Sequence, residues 1–240
     1  MKTEEKILHL IDLTALDGSD TSARIEDLCK KAQEYRTAAV CVYPYYVPLA
    51  KKLLDTTSVH VACVAGGFPA SQTPLSIKNI EVEFCVQSGA DEVDIVIPIG
   101  GFLEGDEQRV ISEVKMLKKA CGDKHLKVIL ETGALKTPEK IRTASLLAIE
   151  GGADFIKTST GKIPVAATIE AAQVMINVIK EHYEKTGKRI GFKPAGGIST
   201  FEEALPYYEL VERVLGEEWL TSNLFRFGAS RLADDLAKRL

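Results

Sequence analysis

A repeating rhythm constrains this chain more than any other feature. Eight short apolar or alternating segments run through it, near Leu8 to Thr14, Ala38 to Tyr43, Val59 to Ala65, Glu92 to Ile97, Leu126 to Glu131, Asp154 to Ser159, Arg189 to Lys193 and Asn223 to Gly228. They return roughly every 30 residues, the span of one strand, one helix and their turns. Helical spacing fills the intervals: Val110, Val114, Leu117 and Cys121 share one face, and Ile77, Ile80 and Phe84 form a shorter stripe. Helix ends are marked by Thr137 before Pro138 as N-cap and first helical residue, by Ser199 with Glu202 as a capping box, and by Gly151 as a stop.

Strictly alternating strands and helices build a parallel sheet. Eight such units filling 240 residues predict a closed (β/α)8 TIM barrel, an α/β fold, over an open doubly wound sheet. The open alternative in its dinucleotide-binding form needs GxGxxG after the first strand, where this chain has HLIDLTAL. No linker or shift in composition divides the chain, so residues 1–240 are expected to form a single domain.

With 45% hydrophobic residues the chain can bury a sizeable core, and its 30 Lys and Arg are offset by 34 Asp and Glu. The formal net charge of -4, without a basic run, excludes the footprint of a duplex nucleic-acid binder, so an anionic ligand must be met by local charge. The opening MKTEEKILHLID lacks the apolar centre of a signal peptide, and no apolar run approaches the ~20 residues needed to cross a bilayer. A cytoplasmic protein with no membrane partner is expected. The five cysteines are scattered without CxxC or Cys/His pairs, which predicts reduced, buried thiols and no metal site.

Strand parity then separates inward from outward side chains. Val93, Ile95 and Ile97 suit the helices, which turns Asp94 and Val96 inward; Lys157 shares a face with Phe155; Gly191 and Lys193 face in when Ile190 and Phe192 face out. The same logic places Asp12, Cys41, Lys127 and Glu131 inside. Charges in a packed interior cost several kcal/mol unless paired, so two inward lysines near the C-terminal ends of neighbouring strands need a reason. Either they are structural, neutralised by Asp94, Asp12 or Glu131, or they serve Schiff-base chemistry. A lysine with an ordinary pKa of ~10.4 cannot attack a carbonyl at neutral pH until burial or a second ammonium lowers it.

DFIKTSTGK (Asp154 to Lys162), GFKPAGGIST (Gly191 to Thr200), DEVDIVIP (Asp91 to Pro98) and FRFGAS (Phe225 to Ser230), with HLIDLTAL and AAVCVYP, together resemble the deoxyribose-phosphate aldolase family. The match runs from the first strand to the eighth. It implies a class I lyase on a (β/α)8 barrel that reversibly cleaves 2-deoxy-D-ribose 5-phosphate to D-glyceraldehyde 3-phosphate and acetaldehyde, in deoxynucleoside catabolism. No cofactor or metal is implied, because an iminium acts as the electron sink. Lys157 matches the family's Schiff-base lysine, Lys193 the lysine that tunes it, and Asp94 the aspartate that relays protons. Family members commonly form homodimers or larger homo-oligomers.

Phosphate recognition is expected beside the last strands, at Gly161 with Lys162, Gly196 with Gly197, and Gly228 with Ser230. Thr158 joins this substrate-binding set, as does Cys41, which matches a pocket-lining cysteine or is small core filler. Asp12 either meets a substrate hydroxyl or pairs with an inward lysine. Lys127, Glu131 and Arg226 are candidates for an internal salt-bridge network, and Arg231 stands where the family commonly has a second serine. The chain ends at AKRL, without the tyrosine-tipped tail of some relatives, so the expectation is that either Asp94, Lys193 and water suffice for proton transfer or the transfer is slower than in the tailed relatives. Two other readings are a transaldolase-like lysine aldolase, which would form an adduct with a longer donor, and a phosphosugar-binding barrel without catalysis.

Overall fold

A computed structural model describes residues 1–240, and each expected segment contributes one strand: β1 (Ile11–Thr14), β2 (Ala39–Val42), β3 (His60–Val64), β4 (Glu92–Val96), β5 (His125–Ile129), β6 (Phe155–Lys157), β7 (Gly191–Lys193) and β8 (Phe227–Ala229). All pair in parallel in the order β7-β6-β5-β4-β3-β2-β1-β8. The remaining seam between β7 and β8 is bridged at Phe192 with Phe225 and at Ala195 with Gly228, so the eight strands form a nearly closed barrel. The last strand begins later than its apolar run suggests. Phe225 donates its backbone N–H to Thr221 at 2.8 Å, keeping Thr221–Phe225 in a turn.

The principal outer helices are α2 (Ser22–Tyr35), α3 (Val47–Leu54), α4 (Leu75–Gln87), α6 (Glu107–Cys121), α8 (Pro138–Glu150), α9 (Ile169–Thr186), α10 (Phe201–Leu215) and α11 (Leu232–Ala237). A short α1 (Thr3–Leu8) precedes the barrel, and α5 (Ile99–Leu103) and α7 (Thr132–Leu135) lie in the turns after β4 and β5. Val110, Val114, Leu117 and Cys121 are buried against the barrel as their spacing predicts, and all five cysteines are buried and unpaired. No helix is long and apolar enough to cross a membrane.

Three local expectations are revised. The stripe of Ile77, Ile80 and Phe84 points outward, with exposures of 51%, 59% and 48%. Lys78, Val82 and Cys85 form the buried face instead, and the Lys78 ammonium is satisfied there by donating to Glu113 at 2.8 Å and to Ser71 at 2.7 Å. The capping box is Thr200 with Glu203, one residue later than Ser199 with Glu202. Gly151 does end α8, but with right-handed backbone; its reason is space, since a Cβ there would lie 2.6 Å from Val114.

Candidate active site

The interior has two characters. Beside β1, β2 and β3 it is small and apolar, built from Leu16, Ala39, Cys41, Ala62 and Val64. The rest holds seven buried charged side chains: Asp12, Glu92, Asp94, Lys127, Lys157, Lys193 and Arg226. Register explains their meeting, because parallel pairing aligns Asp94 with Lys127 and Lys157 with Lys193. Gly191 leaves room for the Phe155 ring, which would come within 2.3 Å of an added Cβ.

The charges are densely paired. Asp94 accepts from Lys157 at 2.7 Å, Lys193 at 2.8 Å and Lys127 at 3.0 Å. Asp12 accepts from Lys193 and, at 2.5 Å, from Arg226, while Lys127 stands 3.7 Å away. Glu92 pairs with Lys127, and its carboxylate receives Arg226 at 2.7 Å and His60 Nδ1 at 2.8 Å. Four cations therefore face three carboxylates. With every group ionised the cluster carries a surplus positive charge, and loss of one proton makes it neutral.

The lysine that yields most readily is Lys157. Burial pushes its pKa down and the Lys193 ammonium adds to that, outweighing the opposing pull of Asp94. Burial also works against the charge on Lys193, but Asp12 and Asp94 together override it and raise its pKa. Lys127 and Arg226 are likewise raised by their carboxylates against the cost of burial. Burial alone would raise Asp12, Glu92 and Asp94, yet their cations hold all three below the usual carboxylate range. Two neighbouring lysines thus become unlike: one free to be an amine, the other kept as an ammonium.

Above the cluster opens a cavity of about 280 Å³. Lys157 is the only member of the charged cluster that lines it; Gly161, Lys162, Gly196, Gly197, Gly228, Ser230 and Arg231 stand around its wall, with Thr14, Arg24 and Thr160. Gly196 has φ of 84°, and a Cβ there would meet Ala166 at 2.7 Å, so glycine lets the turns after β6 and β7 close on each other. At Gly228 the reason is the neighbour: an added Cβ would sit 3.1 Å from Lys193 Cε. The Lys162 ammonium reaches across the mouth to the Leu16 carbonyl. Arg24 is paired with Asp20 at 2.7 Å, whereas Arg231 has no ion-pair partner.

The other expected site residues lie elsewhere. Asp94, Lys193, Asp12 and Cys41 are fully buried beneath the cavity, and burial raises the Cys41 thiol. Asp12 pairs with both Lys193 and Arg226. Thr158 is also buried, and its hydroxyl accepts the Ala195 N–H at 3.0 Å, joining the ends of β6 and β7 instead of lining the cavity. Glu131 does not join Lys127 and Arg226. The chain turns left-handed there, with φ of 57° and ψ of 60°, and sends its carboxylate to Thr160. Glu92 fills that role, and its signal is parity: it shares the inward face of β4 with Asp94.

The DeoC/LacD family aldolase model matches residues 6–208. A Caenorhabditis elegans protein named as a candidate deoxyribose-phosphate aldolase is 48% identical over 98% of this chain and 80% of its own length. The crystal structure of a candidate deoxyribose-phosphate aldolase from Coccidioides immitis superposes with a TM-score of 0.85 at 32% identity, covering 98% of this chain and 87% of that one. A structure named QR15, an aldolase, gives 0.81 at 33% identity over 97% and 96% of the two chains. A family model covering most of the barrel and a relative sharing nearly half of its residues lead to one assignment: the chain belongs to the DeoC/LacD family of aldolases.

Proposed function

We infer that the protein is a deoxyribose-phosphate aldolase, a lyase that reversibly cleaves 2-deoxy-D-ribose 5-phosphate to D-glyceraldehyde 3-phosphate and acetaldehyde through a Schiff base on Lys157. One observation carries this reading: among the interior cations, the single one that reaches the cavity is the one whose proton is destabilised. That is what a carbonyl-attacking amine requires.

In the cleavage direction, the neutral Lys157 nitrogen attacks the aldehyde carbon of the open-chain sugar, and loss of water leaves an iminium. The C3 hydroxyl then gives its proton, through water, to the Asp94 and Lys193 pair. As the C3 carbonyl forms, the C2–C3 bond breaks and its electrons enter the iminium, producing an enamine and releasing D-glyceraldehyde 3-phosphate. Protonation of the enamine carbon and hydrolysis release acetaldehyde and restore the amine. The iminium is the electron sink, so no cofactor is invoked. Lys193 remains an ammonium throughout and holds Asp94 ionised in the resting site; Asp94 carries the C3 proton only until it returns, through water, to the enamine carbon.

The phosphate is placed at the outer wall of the cavity, among the turns bearing Gly161, Lys162, Gly196, Gly197, Gly228 and Ser230. Backbone N–H groups and Lys162 meet its charge, and Arg231 offers a guanidinium that no carboxylate occupies. In this reading residues 1–240 act as one domain, in the cytoplasm, as a homodimer or larger homo-oligomer; sedimentation analysis tests the assembly.

Treatment with acetaldehyde and borohydride, followed by mass spectrometric mapping, tests the chemistry. A reduced two-carbon adduct at Lys157 is the expected result. An adduct formed solely with a longer donor supports a transaldolase-like activity, and phosphosugar binding with no adduct reduces the protein to a binding barrel.

A further inference from the structure

Six carboxylates are buried in this protein: Asp12, Asp20, Glu92, Asp94, Glu113 and Glu131. The first five each have a cation within ion-pair distance. Glu131 has none, although it is only 2% exposed. Its backbone is also left-handed, a conformation that costs a side-chain-bearing residue about 1 kcal/mol or more and persists where the surroundings enforce it. A buried carboxyl group with no cation beside it, on a strained backbone, calls for a positional explanation.

Its partners supply one. The Glu131 carboxylate accepts the Thr160 backbone N–H at 3.2 Å and, on its other oxygen, the Thr160 hydroxyl. The same hydroxyl oxygen accepts the Lys162 N–H at 3.0 Å. Two donors on Thr160 meet two separate oxygens, which a carboxylate has and an amide lacks. Backbone contacts extend the seat: Thr132 N–H donates to the Thr158 carbonyl at 2.9 Å, and a Cβ on Gly133 would come 2.1 Å from the Val165 carbonyl oxygen. The turn after β5 is thus the bed on which the turn after β6 lies. Thr160, Gly161 and Lys162 of that turn line the cavity, whereas Glu131 does not.

We propose that Glu131 is a positioning residue for the phosphate end of the substrate, holding Thr160, Gly161 and Lys162 in the shape that receives a phosphate dianion. This rests on the reading of the cavity as a phosphosugar site. Glu131 acts on the phosphate-bearing end, so its loss affects phosphorylated and phosphate-free substrates differently.

The test compares Glu131→Gln, Glu131→Gly and Thr160→Val with the unaltered protein on 2-deoxyribose 5-phosphate and on 2-deoxyribose, with the acetaldehyde adduct at Lys157 as a third reading. Glu131→Gly relieves the backbone strain and removes the tether, which separates the two. Each variant is expected to raise KM for the phosphorylated sugar about tenfold, the effect of one lost charge-assisted hydrogen bond, while adduct formation with acetaldehyde is retained. Combining Glu131→Gly with Thr160→Val should fall short of the sum of the two changes, because both remove the contact between the Thr160 hydroxyl and the Glu131 carboxylate. If the variants lose adduct formation and melting temperature in parallel, with the preference for phosphate intact, Glu131 is merely structural and the proposal is overturned. A wild-type protein that prefers the phosphorylated sugar beside Glu131 variants that retain the full preference overturns the positioning role alone. A wild-type protein that treats both sugars alike overturns the phosphosugar reading, and the role of Glu131 with it.

Discussion

Lys157 and Lys193 share a single carboxylate oxygen: Asp94 Oδ2 receives the first at 2.7 Å and the second at 2.8 Å. The two lysines occupy matching positions on adjacent strands, yet only Lys193 has a further carboxylate, Asp12. This asymmetry decides which nitrogen gives up its proton.

A pH profile follows from it. Lys157 must be neutral to attack, so kcat/KM should fall as pH drops through its lowered pKa, placing the acid limb below the ordinary lysine value of ~10.4. Lys193 must stay protonated, and its raised pKa places the alkaline limb above that value. Lys193→Leu removes one positive charge, leaving as many interior cations as carboxylates, so Lys157 should hold its proton more firmly. Adduct formation should drop more than about tenfold near neutral pH, corresponding to a shift of one pKa unit, and recover toward high pH. A loss equal at all pH values would mean that Lys193 merely supports the barrel.

Glu92→Gln should shift the acid limb the other way. It removes a carboxylate from a cluster already rich in cations, so the Lys157 proton becomes easier to lose and the acid limb moves to lower pH. Stability should suffer, because Lys127 and Arg226 lose a buried partner; denaturant unfolding should show a loss of about 3 kcal/mol. The pKa of Glu92 is depressed in the fold, so its contribution is present above the unfolded carboxylate value of ~4.3 and disappears as pH falls below it. The difference between wild type and Glu92→Gln should therefore shrink in acid.

Lys162→Ala and Arg231→Ser should each raise KM for 2-deoxyribose 5-phosphate by about tenfold, as expected for one charged contact, and affect 2-deoxyribose less. Steady-state kinetics on the two sugars measures this. No selectivity change in Arg231→Ser would assign that side chain to the surface alone.

Gly228→Ala should damage catalysis more than folding. The new methyl would sit 3.1 Å from Lys193 Cε and 2.8 Å from Ala195 Cβ, displacing the ammonium from Asp94. A stability loss of about 1–3 kcal/mol from overpacking is expected, with a larger relative fall in kcat. An unchanged pH profile would show that Lys193 tolerates the displacement.

The barrel and most of its inward charges are legible in the amino-acid sequence. The period of strand and helix requires a parallel sheet, eight repeats close it, and side-chain parity then turns Asp12, Asp94, Lys127, Lys157 and Lys193 inward, because these are consequences of backbone geometry read along one chain. What the sequence could not determine depends on which distant groups meet. Ile77, Ile80 and Phe84 carry a helical stripe, but α4 buries Lys78, Val82 and Cys85, with Lys78 paired to Glu113 on α6, and leaves that stripe on the surface. From the sequence, Glu131 is named for the interior network and Glu92 is passed over; a left-handed turn withdraws the first, and cross-barrel contacts with Lys127 and Arg226 recruit the second. Above all, two inward lysines differ chemically through the count of carboxylates around each. Electrostatic energy falls off over a few ångströms, so that difference exists only after the tertiary structure has brought Asp12 to Lys193 and left Lys157 facing the cavity.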